Sequence, residues 1–222
     1  MRAELDELLC RTYPALYRDR HGDRINTLMC WGFACGDGWY DLIDTVSILL
    51  IRHQPDTCAV QVKEKFGGLR FYHSSCDDYA CGIVSMAERI SLITCDVCGV
   101  PADVLLINGW LVTRCEAHVE PHNTGGKKNE SMVTPAYGLG LGWSRLVIIL
   151  EQIADWHIEK NGMPKASFKV AVKNGRLSVL LSGGNAMTEG MVAFINHYAQ
   201  RTDQYTGKLL RIRVKGPCLN IK

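Results

Sequence analysis

Two segments of the chain carry apolar side chains at helical spacing behind the same glycine–tryptophan lead. The first is FACGDGW (33–39), followed by Leu42, Ile43, Val46, Leu49, Leu50 and His53. The second is YGLGLGW (137–143), followed by Leu146, Val147, Leu150, Ile153, Ala154 and His157. Both sets follow the i, i+3, i+4, i+7 pattern of an amphipathic helix, and both lie at an offset of 104. Paired glycines before each tryptophan suit a helix entry at which backbones approach closely.

Downstream the period changes from helical to alternating, and the offset moves to 108. AVQVKEKFGGLRFYH (59–73) aligns with SFKVAVKNGRLSVLL (167–181). Each predicts a β-hairpin turning at Phe66-Gly67-Gly68 or Asn174-Gly175. A second helix follows in each copy, with its stripe at Ile83, Met86, Ala87 and Ile90 or at Met191, Phe194, Ile195 and Tyr198. From Val62 to Gly99 the ungapped match holds nine identities in 38 positions. Roughly two or three would arise by chance at average residue frequencies.

The expected fold class is therefore α+β. Two homologous helix–β-hairpin–helix units form an intramolecular pseudo-dimer, and a structural zinc knuckle belongs to the first. A lone hairpin is marginal in water, so the two sheets are expected to pair or to pack face to face. The boundaries fall at 1–30 for an N-terminal helical extension, 31–118 for the first unit, 119–136 for a polar linker and 137–222 for the second unit. Leu5, Leu8, Leu9 and Tyr13 are the packing side of the extension.

Composition adds little, and charge somewhat more. At 222 residues, 47% apolar and 22% charged, the chain is ordinary globular material. No apolar run reaches the ~18 residues of a membrane span. The first residues lack the apolar stretch of a signal peptide, so the expected address is cytoplasmic, without membrane contact. Residues 1–118 carry 11 Lys and Arg against 16 Asp and Glu, net −5, whereas residues 119–222 carry 14 against 7, net +7. Such asymmetry marks a surface for an anionic partner or holds two halves together.

The sharpest chemical pattern is TCDVCG followed by CEAH. Cys95 and Cys98 form one hook, Cys115 and His118 the other, with 16 residues between. This spacing matches a tetrahedral zinc site. Three thiolates and one imidazole fill the shell and leave no place for water, so the zinc is expected to be structural. The alternative is a set of buried thiols and a surface histidine. The second copy has Asp203 and Thr206 where Cys95 and Cys98 stand, and so has no equivalent metal. Cys76 and Cys81 are the next candidates for a site, or simply packing and surface residues.

CGDGWYDLID (35–44), VKEKFGGLRFY (62–72), the helix containing MAERIS, TCDVCG (94–99), Gly109-Trp110 and TRCEAH (113–118) together resemble a group of uncharacterised phage and prophage zinc-binding proteins. The resemblance covers about residues 28–118. It implies bound zinc and a phage setting, and no reaction.

Candidate binding residues lie on the strands. Lys63 and Lys65 share one strand face, as do Arg70 and Tyr72. A register that joins the two pairs would give a basic surface with an aromatic, able to hold a phosphate and stack a base. An ordinary solvated face with snorkelling lysines is the plainer reading. Lys169, Lys173 and Arg176 occupy comparable places in the second copy. Near the C-terminus Arg211, Arg213 and Lys215 alternate with apolar residues, as in an anion-binding strand or a charged edge that resists aggregation. Asp37, Asp41 and Asp44 open the first long helix and suit its dipole. His118, Glu120, His122 and Asn129 resemble the start of an HNH nuclease element, but its second cysteine hook and final helix are missing. No nucleophile elbow and no phosphate-binding glycine loop occurs.

The reading that follows is a non-catalytic, zinc-stabilised binding protein of phage type. It engages an anionic partner, nucleic acid or a nucleotide signal, in host defence or nucleic-acid processes. The alternatives are an inhibitor that masks a host protein and a degenerate HNH nuclease.

Overall fold

The computed structural model describes residues 1–25, 27–119 and 134–210. The fold is mixed α+β. In chain order it contains α1 (Ala3–Thr12), β1 (Phe33–Ala34), α2 (Tyr40–His53), β2 (Ala59–Lys65), β3 (Gly68–His73), α3 (Asp78–Ser91), β4 (Asp103–Ile107) and β5 (Trp110–Arg114). Then come α4 (Leu141–Lys160), β6 (Ser167–Lys173), β7 (Arg176–Ser182) and α5 (Ala186–Tyr198). The order α2-β2-β3-α3 recurs as α4-β6-β7-α5, and β2 and β6 begin and end 108 residues apart.

Local chemistry sets each element. Phe66 and Gly67 have φ of 55° and 77°, and Asn174 and Gly175 have 51° and 71°, so both hairpins close through two left-handed residues. Asp77 caps α3 by accepting from the Ala80 N–H, and Asn185 caps α5 by accepting from the Thr188 N–H. The predicted stripes face inward: Leu42, Ile43, Val46 and Leu50 on α2 are buried, as is Trp39 just before it, and so are Trp143, Leu146, Val147, Leu150 and Ala154 on α4.

Among the described residues three small sheets form, β1-β2-β3, β4-β5 and β6-β7. They do not pair with one another, contrary to one expectation from the sequence. The reason lies at the sheet edges. The Leu69 N–H on β3 donates to Ser91 Oγ (2.8 Å), and the Phe71 N–H donates to Glu88 Oε1 (3.0 Å). On β7 the Val179 N–H donates to Asn196 Oδ1 (2.8 Å), and Asn196 Nδ2 returns a bond to the Val179 carbonyl (2.9 Å). The β2–β3 and β6–β7 hairpins thus each satisfy one edge with the helix that follows, so that edge does not need a neighbouring strand. β1 pairs in parallel with β2 at Phe33–Val62 and Ala34–Lys63, a strand that periodicity did not predict because it is two residues long.

The halves meet through helices: α3 against α5, α2 against α5 and α3 against α4. At the α3–α5 crossing a Cβ on Gly82 would lie 2.0 Å from the Met187 carbonyl oxygen, and a Cβ on Gly190 would lie 2.0 Å from that of Tyr79. Tyr79 and Met187 are themselves 108 residues apart, as are the glycines. α1 packs through Leu9, which is buried, with Tyr13 partly buried against the core. Tyr17 shares a hydrogen bond of 2.6 Å with Ser47 on α2.

Candidate functional site

α3 runs out at Ser91, and the chain turns sharply through Thr94. An isolated bridge between Thr94 and Pro101 closes a loop. Inside it the Cys95 N–H donates to the Val100 carbonyl (2.8 Å) and the Gly99 N–H donates to the Cys95 carbonyl (2.9 Å). Gly99 has φ of 76°, a conformation that favours glycine. The Asp96 N–H donates to the Thr113 carbonyl (2.9 Å), which ties the loop to β5. Cys115 follows β5 directly, and the His118 N–H donates back to its carbonyl (2.9 Å). The two hooks therefore converge.

The ligand atoms of Cys95, Cys98, Cys115 and His118 all lie within 4.8 Å of one another, an arrangement that can hold a metal ion. Cys98 and Cys115 Sγ are 3.7 Å apart, and His118 Nδ1 is 3.6 Å from Cys95 Sγ and 3.2 Å from Cys115 Sγ. Zinc–ligand bonds of about 2.3 Å to sulfur and about 2.0 Å to nitrogen give tetrahedral edges of roughly 3.8 Å and 3.5 Å. Two of the three separations sit on those edges and one is shorter. Burial works against a thiolate at Cys95. Backbone N–H groups of Cys115, Cys98 and Val97 directed at its sulfur overcome this and bring its pKa below that of an ordinary thiol. No other group of this kind occurs among the described residues.

The loop also explains the glycines ahead of Trp39. The Trp39 indole N–H donates to the Thr94 carbonyl (2.8 Å), and the Gly38 N–H donates to the Asp96 carbonyl (2.8 Å). A Cβ on Gly38 would stand 2.1 Å from the Cys95 carbonyl oxygen. The start of α2 thus lies directly under the metal loop. The second copy repeats this with different chemistry. The Trp143 indole N–H donates to the Ala199 and Thr202 carbonyls (3.1 and 3.2 Å). A Cβ on Gly142 would meet the Asp203 carbonyl oxygen at 2.5 Å. Asp203 Oδ1 accepts from the N–H groups of Tyr205 (3.2 Å) and Thr206 (2.8 Å) and from Thr206 Oγ1 (2.8 Å). A carboxylate and its three donors hold the turn that the first copy builds around cysteines.

The predicted binding residues separate into three groups. Lys63 is paired directly with Arg70, and Gln61 with Tyr72, so Lys63, Lys65, Arg70 and Tyr72 share the face opposite buried Val62, Leu69 and Phe71. The Lys63 ammonium lies 5.7 Å from the Tyr72 ring centroid, and that of Lys65 lies 5.3 Å from Phe66. The Arg70 guanidinium turns away to the β3 edge, 3.9 Å from Glu88. Arg211 and Arg213 lie outside the described residues, as do Glu120, His122 and Asn129. Asp41 and Asp44 face a cation from the second half of the chain. Arg201, just past α5, approaches Asp41 at 3.3 Å and Asp44 at 2.5 Å, and the Tyr13 hydroxyl donates to Asp44 (2.7 Å). Burial raises the Asp41 pKa, and the Arg201 charge pulls it back. Asp37 pairs with Arg2 at 3.0 Å.

Sequence reasoning missed this ion cluster, because no spacing rule links residues 160 apart. It also missed Gly82 and Gly190, although an identical glycine inside both aligned helices was a readable signal. Comparison with protein families, curated proteins and solved structures finds no match to this chain.

Proposed function

We propose that this is a non-catalytic, zinc-stabilised binding protein of phage type that works in the host cytoplasm. In this reading residues 31–118 and 137–222 are homologous units of an intramolecular pseudo-dimer, preceded by the 1–30 extension and joined by the 119–136 linker. The paired positions 104 and 108 apart support that symmetry. Zinc at Cys95, Cys98, Cys115 and His118 is structural, since four protein ligands leave no open position for chemistry. With His118 in that shell, it is not a general base, which removes the key residue of an HNH reading.

The partner is anionic, and single-stranded nucleic acid fits best. The observation that carries this is the β2–β3 register, which sets Lys63 and Lys65 on one outward face with Tyr72 and beside exposed Phe66. Phe66 occupies a left-handed position (φ 55°) that asparagine fills at Asn108 and Asn174 in the other two hairpins. A bulky residue there costs about 1–2 kcal/mol, and a ring held for stacking gives that strain a purpose. A labelled single-stranded oligonucleotide tests the reading by fluorescence anisotropy across a salt series. Affinity should fall steeply with salt. The Lys63→Ala/Lys65→Ala variant should lower the log–log slope by roughly 0.7 for each phosphate no longer neutralised. No binding at low salt, or an unchanged slope, overturns it.

A masking interaction with a host protein is the second reading. Leu106 and Leu111 face each other across β4–β5 and are both exposed, with Trp110 exposed on the other face, apolar surface suited to a protein partner.

A further inference from the structure

Between the edge of β3, one side of α3 and the middle of α4 lies a groove of about 520 Å³. Its volume is that of a small-ligand site, about 300–1,000 Å³. Arg70, Glu88 and Arg89 form one wall, and Gln152, Ile153 and Trp156 form the other. The site therefore exists only when the two halves are together.

Three features mark it as more than a seam. Trp156 is 59% exposed although it lies on α4, the longest helix among the described residues, and the Lys160 ammonium sits 5.1 Å from its ring centroid. Arg89 makes no side-chain hydrogen bond or ion pair among the described residues, so its guanidinium is available. Positions matching Arg70, Arg89 and Trp156 in the repeat alignment are Ser178, His197 and Arg52. The fold builds that other corner without this combination of side chains, so packing alone does not demand them here.

The charges define the occupant. Arg70 and Arg89 line the groove against Glu88, two cations and one carboxylate, net +1, and the Lys160 ammonium lies beside the Trp156 ring. One Glu88 oxygen is already occupied by the Phe71 N–H (3.0 Å), and the other faces Arg70 (3.9 Å). A phosphate monoester carries about −1.5 to −2 near neutral pH, an anion that a net positive lining attracts. The indole offers a planar apolar surface for a ring, and the Gln152 amide offers a donor and an acceptor for its polar edge.

We infer that this groove binds a purine nucleoside monophosphate, with the base against Trp156 and the phosphate at Arg89 and Arg70. The site is separate from the β2–β3 face proposed above and shares only Arg70 with it.

Isothermal titration calorimetry of the full chain with AMP and GMP tests this, with adenosine and ribose 5-phosphate as partial ligands. One nucleotide per chain should bind, and each partial ligand should bind more weakly. Trp156→Ala should weaken binding roughly tenfold, the order supplied by base–aromatic stacking. Arg89→Ala should also weaken it, while Lys63→Ala/Lys65→Ala should leave it unchanged. In the unaltered protein the Trp156 indole ¹⁵N–¹H signal should shift on adding AMP or GMP, a measurement independent of how variants fold. The inference fails if neither nucleotide binds at millimolar concentration, if the indole signal stays still, or if only the Lys63/Lys65 variant loses binding.

Discussion

Gly82→Ala sets two effects of opposite sign against each other. Alanine is favoured over glycine inside a helix by about 1 kcal/mol, so local propensity alone predicts a more stable protein. The tertiary structure predicts the reverse. The new methyl carbon would sit 2.0 Å from the Met187 carbonyl oxygen, whereas ordinary contact begins at 3.4 Å. The obstacle is helix backbone, which cannot rotate away as a side chain can, so α3 and α5 must separate by more than an ångström. That interface contains fully buried Ile83, Met86, Phe194 and Ile195. A radial gap of 0.5–1 Å forfeits about a quarter to a half of the dispersion attraction between each pair of facing atoms, and overpacking of this kind costs about 1–3 kcal/mol or more. Because the attraction weakens along the whole crossing at once, the net expectation is a destabilisation of about 3 kcal/mol. For a chain of this size that lowers the melting temperature by roughly 6–12 °C. Urea unfolding with an unchanged m-value measures it directly. Gly190→Ala should cost about the same, because its Cβ meets Tyr79 in the same way. The double variant should cost less than the sum, since helices already forced apart accommodate the second methyl. A raised or unchanged midpoint for Gly82→Ala would refute the reasoning, as would strict additivity.

Protein expressed in zinc-containing medium should carry one zinc per chain by native mass spectrometry, and Cys95→Ser should abolish it and lower the melting temperature by several degrees. In the second copy, backbone and hydroxyl donors from Thr206 and Tyr205 hold the Asp203 pKa below its ordinary value. A depressed carboxylate pKa contributes stability that is complete above about pH 4 and is lost as pH falls through the folded-state value. NMR titration should therefore place Asp203 below a normal aspartate, and Asp203→Asn should lose part of the acid-dependent stability change. Arg201→Met should destabilise by about 3 kcal/mol at neutral pH, since it leaves Asp41 and Asp44 together without a counter-charge. That penalty should shrink on acidification as Asp41, whose pKa burial raises, protonates, and a pH-independent penalty in urea unfolding would argue against the cluster.

Much of the fold was legible in the residues. Hydrophobic period alone located α2, α4 and the two later helices, because one-sided burial of a helix leaves its mark at 3.6-residue spacing. Turn chemistry located the hairpins at Gly67 and Gly175. Cysteine spacing located the cluster that can hold a metal ion, because short hooks joined by a reversing chain bring their ligand atoms together. What lay beyond reach was everything that depends on distance in space between residues far apart in sequence. The pattern could not say that each hairpin would satisfy its own edge through Ser91, Glu88 or Asn196, and so it left open a pairing of sheets that the fold does not make. It could not say that Arg201 would neutralise Asp41 and Asp44, nor that Trp156 would meet Arg89 across a groove. Local sequence specifies which face of an element seeks burial. Which partner it meets is decided only when all the faces compete for the same interior.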